Sequence, residues 1–250
     1  MTGRVCLVTG ASRGIGAAIA RMLAGEGATV AVHYGSNELA AHAVKESLAG
    51  QGHMTVGADL ASPAGAAAVV DDVLSALGRI DVLVNNAGIF KSHPPLAVSH
   101  EDWLSAWQET LSVNLLAPAV LCQAAAKSMA AQGGGRIVNV GSRGAFRGEP
   151  HCPAYGASKA GLHAMSQSLA VALAAQNIQV FAVAPGFVET DMAEELLQSE
   201  AGCDIRAQSP MNRVARPEEV AEVVCFLAST EATYLTGSII DINGASYLRT

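Results

Sequence analysis

A chain of 250 residues that is 50% hydrophobic and only 15% charged can fill one sizeable core, and it is too apolar for a disordered or nucleic-acid-binding protein. A net charge of −7 gives no electrostatic hold on nucleic acid or on an acidic membrane, so neither is expected as a partner. Aromatic residues make up 4%, which leaves Ala, Val, Leu and Ile to build the interior, as in parallel sheets covered by helices.

Residues 4–9 (RVCLVT) form a short apolar, β-branched run of the kind a buried parallel strand needs. Gly10, Ala11, Ser12, Arg13, Gly14, Ile15 and Gly16 follow, and the Ala/Leu-rich stretch 17–25 reads as a helix ending at glycine. Strand, glycine turn and helix together make the context of a dinucleotide-binding turn. Glycines admit phosphate oxygens to the backbone, and the helix N-terminus supplies amide donors and a favourable dipole. The spacing G-x-x-x-G-x-G is weak alone, since such a turn also serves as a tight corner.

Residues 28–34 read as a second strand. A carboxylate at its end would bind the ribose hydroxyls of NAD and repel a 2′-phosphate, yet His33, Tyr34, Gly35, Ser36 and Asn37 supply none before Glu38. Arg13 can pair with such a phosphate, with Ser36 and Asn37 as further donors, so NADP(H) is expected in preference to NAD(H). The competing reading of Arg13 is a solvated surface side chain.

A helix over 38–49 leads to a third strand, 53–58, which ends at Asp59 and Leu60. Asp59 suits two uses, accepting from an adenine amino group or capping the next helix, 64–77. A fourth strand, 80–84, runs into Asn85, Asn86, Ala87 and Gly88, which implies backbone packed against a ligand or an Asx turn with none. Residues 90–95 read as a loop, and 101–131 as a long helical region interrupted by Pro118. Asn114 lies within it, where an asparagine ordinarily faces solvent or bonds the local backbone.

Strands over 136–140 and 178–184 bracket the chemistry. Ser142 follows the first of them. Tyr155 and Lys159 stand four apart ahead of the helix-forming run 162–175, so one helix face presents both. A phenol with an ordinary pKa of about 10 is a poor acid or base near neutrality, and a nearby ammonium favours the phenolate. The serine can donate to an oxygen on which negative charge develops. By itself Tyr-x-x-x-Lys is more often a half-buried tyrosine beside a solvated lysine. After the sixth strand come Pro185, Gly186, Phe187, Val188, Glu189 and Thr190, where Thr190 suits a nicotinamide carboxamide or a helix cap. The polar stretch 192–211 has no sustained apolar period and is long enough for a lid, so 187–215 is expected to cover the substrate side of a single domain. A helix over 217–229 and a strand over 238–242 close the chain.

Five scattered cysteines form no Cys-x-x-Cys pair, so packed thiols are expected, Cys152 among them, with no metal site. His93, His100 and His151 read as polar loop residues. The opening MTGRVCLVTG shows no basic segment, apolar core and cleavage site, and no apolar run reads as long enough to span a bilayer; cytoplasmic location is the expectation.

These motifs resemble those of the NADP-linked short-chain dehydrogenase/reductases over essentially the whole chain. The matches are TGASRGIG, Asp59-Leu60, NNAG, Asn114, Ser142, Tyr155 with Lys159, and PGFVET, in the family's order. The resemblance implies an α/β, doubly wound Rossmann-type parallel sheet of seven strands in the order 3-2-1-4-5-6-7, in a single domain that usually forms homotetramers. It implies a catalytic set of Asn114, Ser142, Tyr155 and Lys159, with Asn114 holding a water that links Lys159 to solvent. Cofactor contacts carried over are Gly10, Ser12, Arg13, Gly14, Ile15, Gly16, Ser36, Asp59, Leu60, Asn86, Ala87, Gly88, Tyr155, Lys159, Pro185, Gly186, Val188 and Thr190.

The subgroup most resembled is the 3-oxoacyl-acyl-carrier-protein reductases, notably through the tail ARPEEVAEVVCFLASTEATYLTGSIIDING. Three departures stand out. Residues 130–135 and 174–179 carry no Lys or Arg where that subgroup has basic docking residues, which argues against docking of an acidic carrier protein. Phe181 replaces the usual asparagine of the sixth strand, and the closing glycines are reduced to Asn243-Gly244-Ala245. The reaction implied is NADPH-dependent reduction of a ketone, a 3-oxoacyl thioester or similar small carbonyl, to an alcohol by hydride transfer. Run in reverse, the site would oxidise a sugar, polyol or steroid alcohol. A non-catalytic dinucleotide-sensing protein is the reading from another class, and it has no use for the Tyr155/Lys159 pair.

Overall fold

Runs of Val, Leu, Ile and Ala without a polar face set the architecture. In the computed structural model, which describes residues 1–190 and 197–249, β1 (Val5–Val8), β4 (Val82–Asn85) and β6 (Ile178–Pro185) are buried along their whole length. That is the pattern of strands covered on both faces. With β2 (Thr29–Tyr34), β3 (Met54–Gly57), β5 (Gly135–Val140) and β7 (Ile239–Ile242) they form one parallel sheet in the order 3-2-1-4-5-6-7. The register is set by pairs such as Leu7 with Ala31 and Leu83, and Val138 with Phe181. Alternation along each strand divides the core: Cys6 and Val8 face one cluster, Val5 and Leu7 the other.

Helices α1 (Gly14–Gly25) and Pro217–Ala228 cover the first cluster together with part of α2 (Glu38–Glu46). Helices α3 (Pro63–Leu77), α5 (Ala117–Ala131) and α7 (Pro153–Leu173) cover the second. Phe181, in place of the expected asparagine, is fully buried in the first cluster. Local chemistry fixes the helix ends. Ser62 accepts the Gly65 amide and Pro63 takes the first helical position of α3, while Gly78 ends it in the left-handed region.

The region expected to be broken at Pro118 is instead continuous. Helix α4 (His100–Leu111) runs through a π-helical turn, Ser112–Leu116, into α5. Pro118 has no N–H for the carbonyl of Asn114 four residues earlier, and the widened turn falls at that place. By length and composition this stretch, His100–Ala131, is apolar enough to cross a bilayer, contrary to the sequence expectation. Its side chains Leu121, Ala125 and Met129 are spent on the core against the sheet.

The short helix α6 (Gly144–Arg147) and the helix Ala201–Ala207 were not foreseen. Part of the expected lid, 191–196, lies outside the described residues. Its two ends are joined: Ala215 donates to the Phe187 carbonyl and Glu189 donates to the Ala215 carbonyl.

The residues singled out from sequence cluster at the carboxyl ends of the strands. The glycine turn follows β1, the Asn86–Gly88 stretch follows β4, and Ser142 follows β5. Strand order reverses between β1 and β4, and the crevice at such a reversal is where open α/β sheets bind ligands.

Candidate active site

The cofactor turn is built by crowding. Gly10 holds φ at +61°, and a Cβ there would stand 2.9 Å from the Ala87 Cα. A Cβ on Gly16 would stand 2.4 Å from the Gly10 carbonyl oxygen and 2.5 Å from Asn86 Nδ2. Asn86 ties the turn to β4: its Nδ2 donates to the carbonyls of Thr9 and Gly10, and Thr9 Oγ1 accepts the amides of Asn86 and Ala87. The N-cap residue Arg13 makes no side-chain cap hydrogen bond, and the first turn of α1 carries no acidic residue. Backbone amides at a positive helix end and a Cβ-free cradle fit a dinucleotide pyrophosphate.

Arg13 stands exposed at that N-terminus and, among the described residues, makes no side-chain hydrogen bond or ion pair. Ser12 and Ile15 share the turn, and Ser36 is exposed just past β2. Asn37 is committed to capping α2, its Oδ1 accepting the Ala40 amide. Asp59 is exposed and accepts the Ala61 amide, so it does not cap α3; Pro63 at the first helical position makes Ser62 the cap. Leu60 and Val188 are buried, Pro185 ends β6, and Gly186 packs on Asn243. Thr190 lies against the turn, with its Cγ2 3.2 Å from where a Gly14 Cβ would sit. The capping use offered for it falls on positions outside the described residues.

The second half of the site converges on Gly88. A Cβ there would lie 3.3 Å from Asn114 Oδ1 and 3.5 Å from Lys159 Nζ. Asn114 is fully buried, which overturns the solvent-facing reading of a mid-helix asparagine. The π turn aims its amide inward, where Oδ1 accepts the Ile89 amide at 2.8 Å, and Nδ2 donates to the Ile89 carbonyl and Ser158 Oγ. Tyr155 and Lys159 project from the first turns of α7, with the Lys159 Nζ 5.8 Å from the Tyr155 ring centroid. Ser142 Oγ accepts the Gly144 amide.

Electrostatics differ from the sequence expectation in one respect. Burial pushes the Tyr155 phenol above its ordinary value; a hydrogen bond with Ser142 works the other way, and Glu149 and Cys152 add to the rise. The Lys159 ammonium does not reverse this. Its Nζ is turned to the Val140 carbonyl at 2.8 Å, and burial lowers it to about 8. The Tyr155 phenol therefore stays protonated at neutral pH.

Two histidines escaped the sequence. His33 is buried and bonds the cofactor turn, accepting the Gly10 amide on Nδ1. His93 is also buried, not a polar loop residue: its Nε2 accepts the Ala154 amide at the start of α7, and its ring packs on Trp103. Each bond joins residues distant in sequence, so no local signal could mark it. Cys152 is packed, with its thiol pushed up to about 11 by burial. Among the described residues no group of three or more His, Cys, Asp or Glu side chains could hold a metal ion.

A glycine turn that fits a dinucleotide pyrophosphate, with a Tyr/Lys pair at the same edge of the sheet, is the arrangement a nicotinamide-dependent oxidoreductase requires. The chain belongs to the short-chain dehydrogenase/reductase family: the family model described as enoyl-(acyl carrier protein) reductase matches residues 10–245. It is similar to the 3-oxoacyl-[acyl-carrier-protein] reductase FabG of Aquifex aeolicus (strain VF5), 40% identical over 99% of this chain and 98% of the relative. It is also similar to the cis-4-hydroxycyclohexanecarboxylate dehydrogenase of Sinomonas cyclohexanicum, 39% identical over 96% of this chain and 95% of the relative. The solved structure of the angucycline C-6 ketoreductase LanV with bound NADP superposes with a TM-score of 0.89 at 37% identity, covering 98% of this chain and 96% of that one.

Proposed function

We propose that this enzyme reduces a ketone on a small carbonyl compound to the alcohol, with NADPH as donor. Gly10, Gly14 and Gly16 with the α1 amides would hold the pyrophosphate, Arg13 the 2′-phosphate, and Thr190 and Lys159 the nicotinamide end. NADPH, when bound, supplies hydride to the carbonyl carbon. Ser142 donates to the carbonyl oxygen and orients it. Tyr155 passes its proton to that oxygen as charge develops there. Lys159 would return a proton toward Tyr155, resupplied from solvent through a water held by Asn114, whose Oδ1 lies with Lys159 Nζ at Gly88. The observation that carries this reading is geometric: Tyr155 and Lys159 project from the first turns of α7, with Lys159 Nζ and Asn114 Oδ1 at Gly88, on the same edge of the sheet as the glycine turn.

The Aquifex relative is named for a carrier-bound substrate. The absence of Lys and Arg from 130–135 and 174–179 favours a free small molecule for this chain. Assembly into a homotetramer belongs to this reading through the family resemblance alone. The reading keeps 187–215 as a lid on the substrate side, with Val188 and Ala215 near its ends bridged to each other. A cytoplasmic location accords with this reading.

The purified enzyme would be mixed with NADPH or NADH and a panel of acetoacetyl thioesters, diketones, quinones and sugar ketones, following nicotinamide absorbance. NADPH-dependent turnover of at least one ketone is expected. Binding of NADPH without turnover of any would instead mark a dinucleotide sensor.

A further inference from the structure

Phe90 is a large apolar side chain left 48% exposed, packed against the Tyr155 ring. Its ring stands edge-on to that of Tyr155, with centroids 4.9 Å apart and planes at 74°. Scattered exposed apolar residues are ordinary on a protein surface, but this one is not on a loose loop. On one side Ile89 is held through both its amide and its carbonyl by Asn114. On the other, His93 donates its amide to the His151 carbonyl, and its Nε2 accepts the Ala154 amide. That leaves the proton on Nδ1, which donates to the Lys91 carbonyl at 2.7 Å. Lys91 is itself tied to Glu109. The segment is thus clamped at both ends, and what it presents toward the catalytic phenol is an aromatic ring.

A fixed aromatic ring rewards a flat apolar partner across its area, through burial and through ring-to-ring geometry. A flexible acyl chain covers less of it and loses rotamer freedom in doing so. We propose that Phe90 is a specificity-determining residue, a preformed platform on which the carbon skeleton of a cyclic or aryl ketone lies while its carbonyl meets Tyr155 and Ser142. This assignment of substrate class rests on the ketone-reductase reading above.

The test compares wild type, Phe90→Ala and Phe90→Tyr on two ketones, 2-tetralone and acetoacetyl-N-acetylcysteamine. Phe90→Ala is expected to lower kcat/KM for 2-tetralone about tenfold, mainly through KM, and to leave the linear thioester within about twofold, as loss of one aromatic contact with its buried area implies. Phe90→Tyr should restore the tetralone value. Equal losses on both ketones would assign Phe90 to holding Tyr155 in place, and no loss on either would remove it from the site; each result overturns the platform. Binding of 2-naphthol to the enzyme with NADP⁺, measured by calorimetry, decides the point without turnover. Wild type should bind it about tenfold more tightly than Phe90→Ala, and equal affinity would refute the platform. Failure to reduce either ketone would count against the reductase reading, while the naphthol comparison would still judge Phe90.

Discussion

The His33 imidazole accepts the Gly10 amide on Nδ1 at 3.1 Å, and its Nε2 reaches the Ala58 carbonyl at 3.2 Å. One side chain thus pins the cofactor turn after β1 to the end of β3, across the strand between them. Burial holds the imidazole pKa below its ordinary value, so it stays neutral, with the proton on Nε2 and the acceptor facing Gly10.

Replacing His33 by alanine leaves the partly buried Gly10 amide without its acceptor, a cost of about 1 kcal/mol. NADPH affinity should fall roughly tenfold, while His33→Asn, which keeps an acceptor, should recover most of it. Fluorescence titration of NADPH against the three proteins checks this.

Arg13 is exposed at the N-terminus of α1 and unpaired among the described residues. Arg13→Ala should raise the Kd for NADPH about tenfold or more and leave NADH within about twofold, since charge-assisted hydrogen bonds to a phosphate are the stronger kind. Equal losses for the two cofactors would take the 2′-phosphate away from Arg13.

Much of this was legible beforehand. The strands follow from continuous apolar runs, and the glycine turn and the Tyr155/Lys159 spacing follow from local order. What the sequence hid lies in contacts across distance. Gly10 and His33 are 23 residues apart, and Ala154 and His93 are 61 apart. The inward turn of Asn114 needed the π-helical widening at Ser112–Leu116, which a 3.6-residue period does not announce. Asp59 and Ser62 are both good caps, and only Pro63 at the first helical position decided between them. Phe90 reads as one more loop residue until its ring is seen against Tyr155.

Lys159 is lowered by burial from 10.5 to about 8, so its charge is present below that pH and lost above it. Because kcat/KM reports groups of the free enzyme, ketone reduction should decline as pH rises through about 8, well before Tyr155, whose pKa is raised, gives up its proton. A profile flat to pH 10 would mean that the charge on Lys159 does not matter.

His163, one helical turn past Lys159, stacks on Phe146 and is 3% exposed. Burial lowers it from 6.5 to about 4, helped by the nearby Lys159 and Arg249 charges. The unfolded chain therefore takes up a proton between pH 6.5 and 4 that the folded protein refuses, and stability falls with acid across that window, by about 3 kcal/mol at most. His163→Phe should flatten that part of a urea-denaturation profile against pH. An unchanged slope would place the acid sensitivity elsewhere.

The central claim is that Tyr155 hands its proton to the substrate oxygen. Tyr155→Phe removes one hydroxyl and keeps the ring that packs on Phe90, so the variant should bind NADPH within about twofold of wild type and lose turnover about a thousandfold, the scale of a missing general acid. Ketone reduction by Tyr155→Phe within about tenfold of wild type would contradict that assignment.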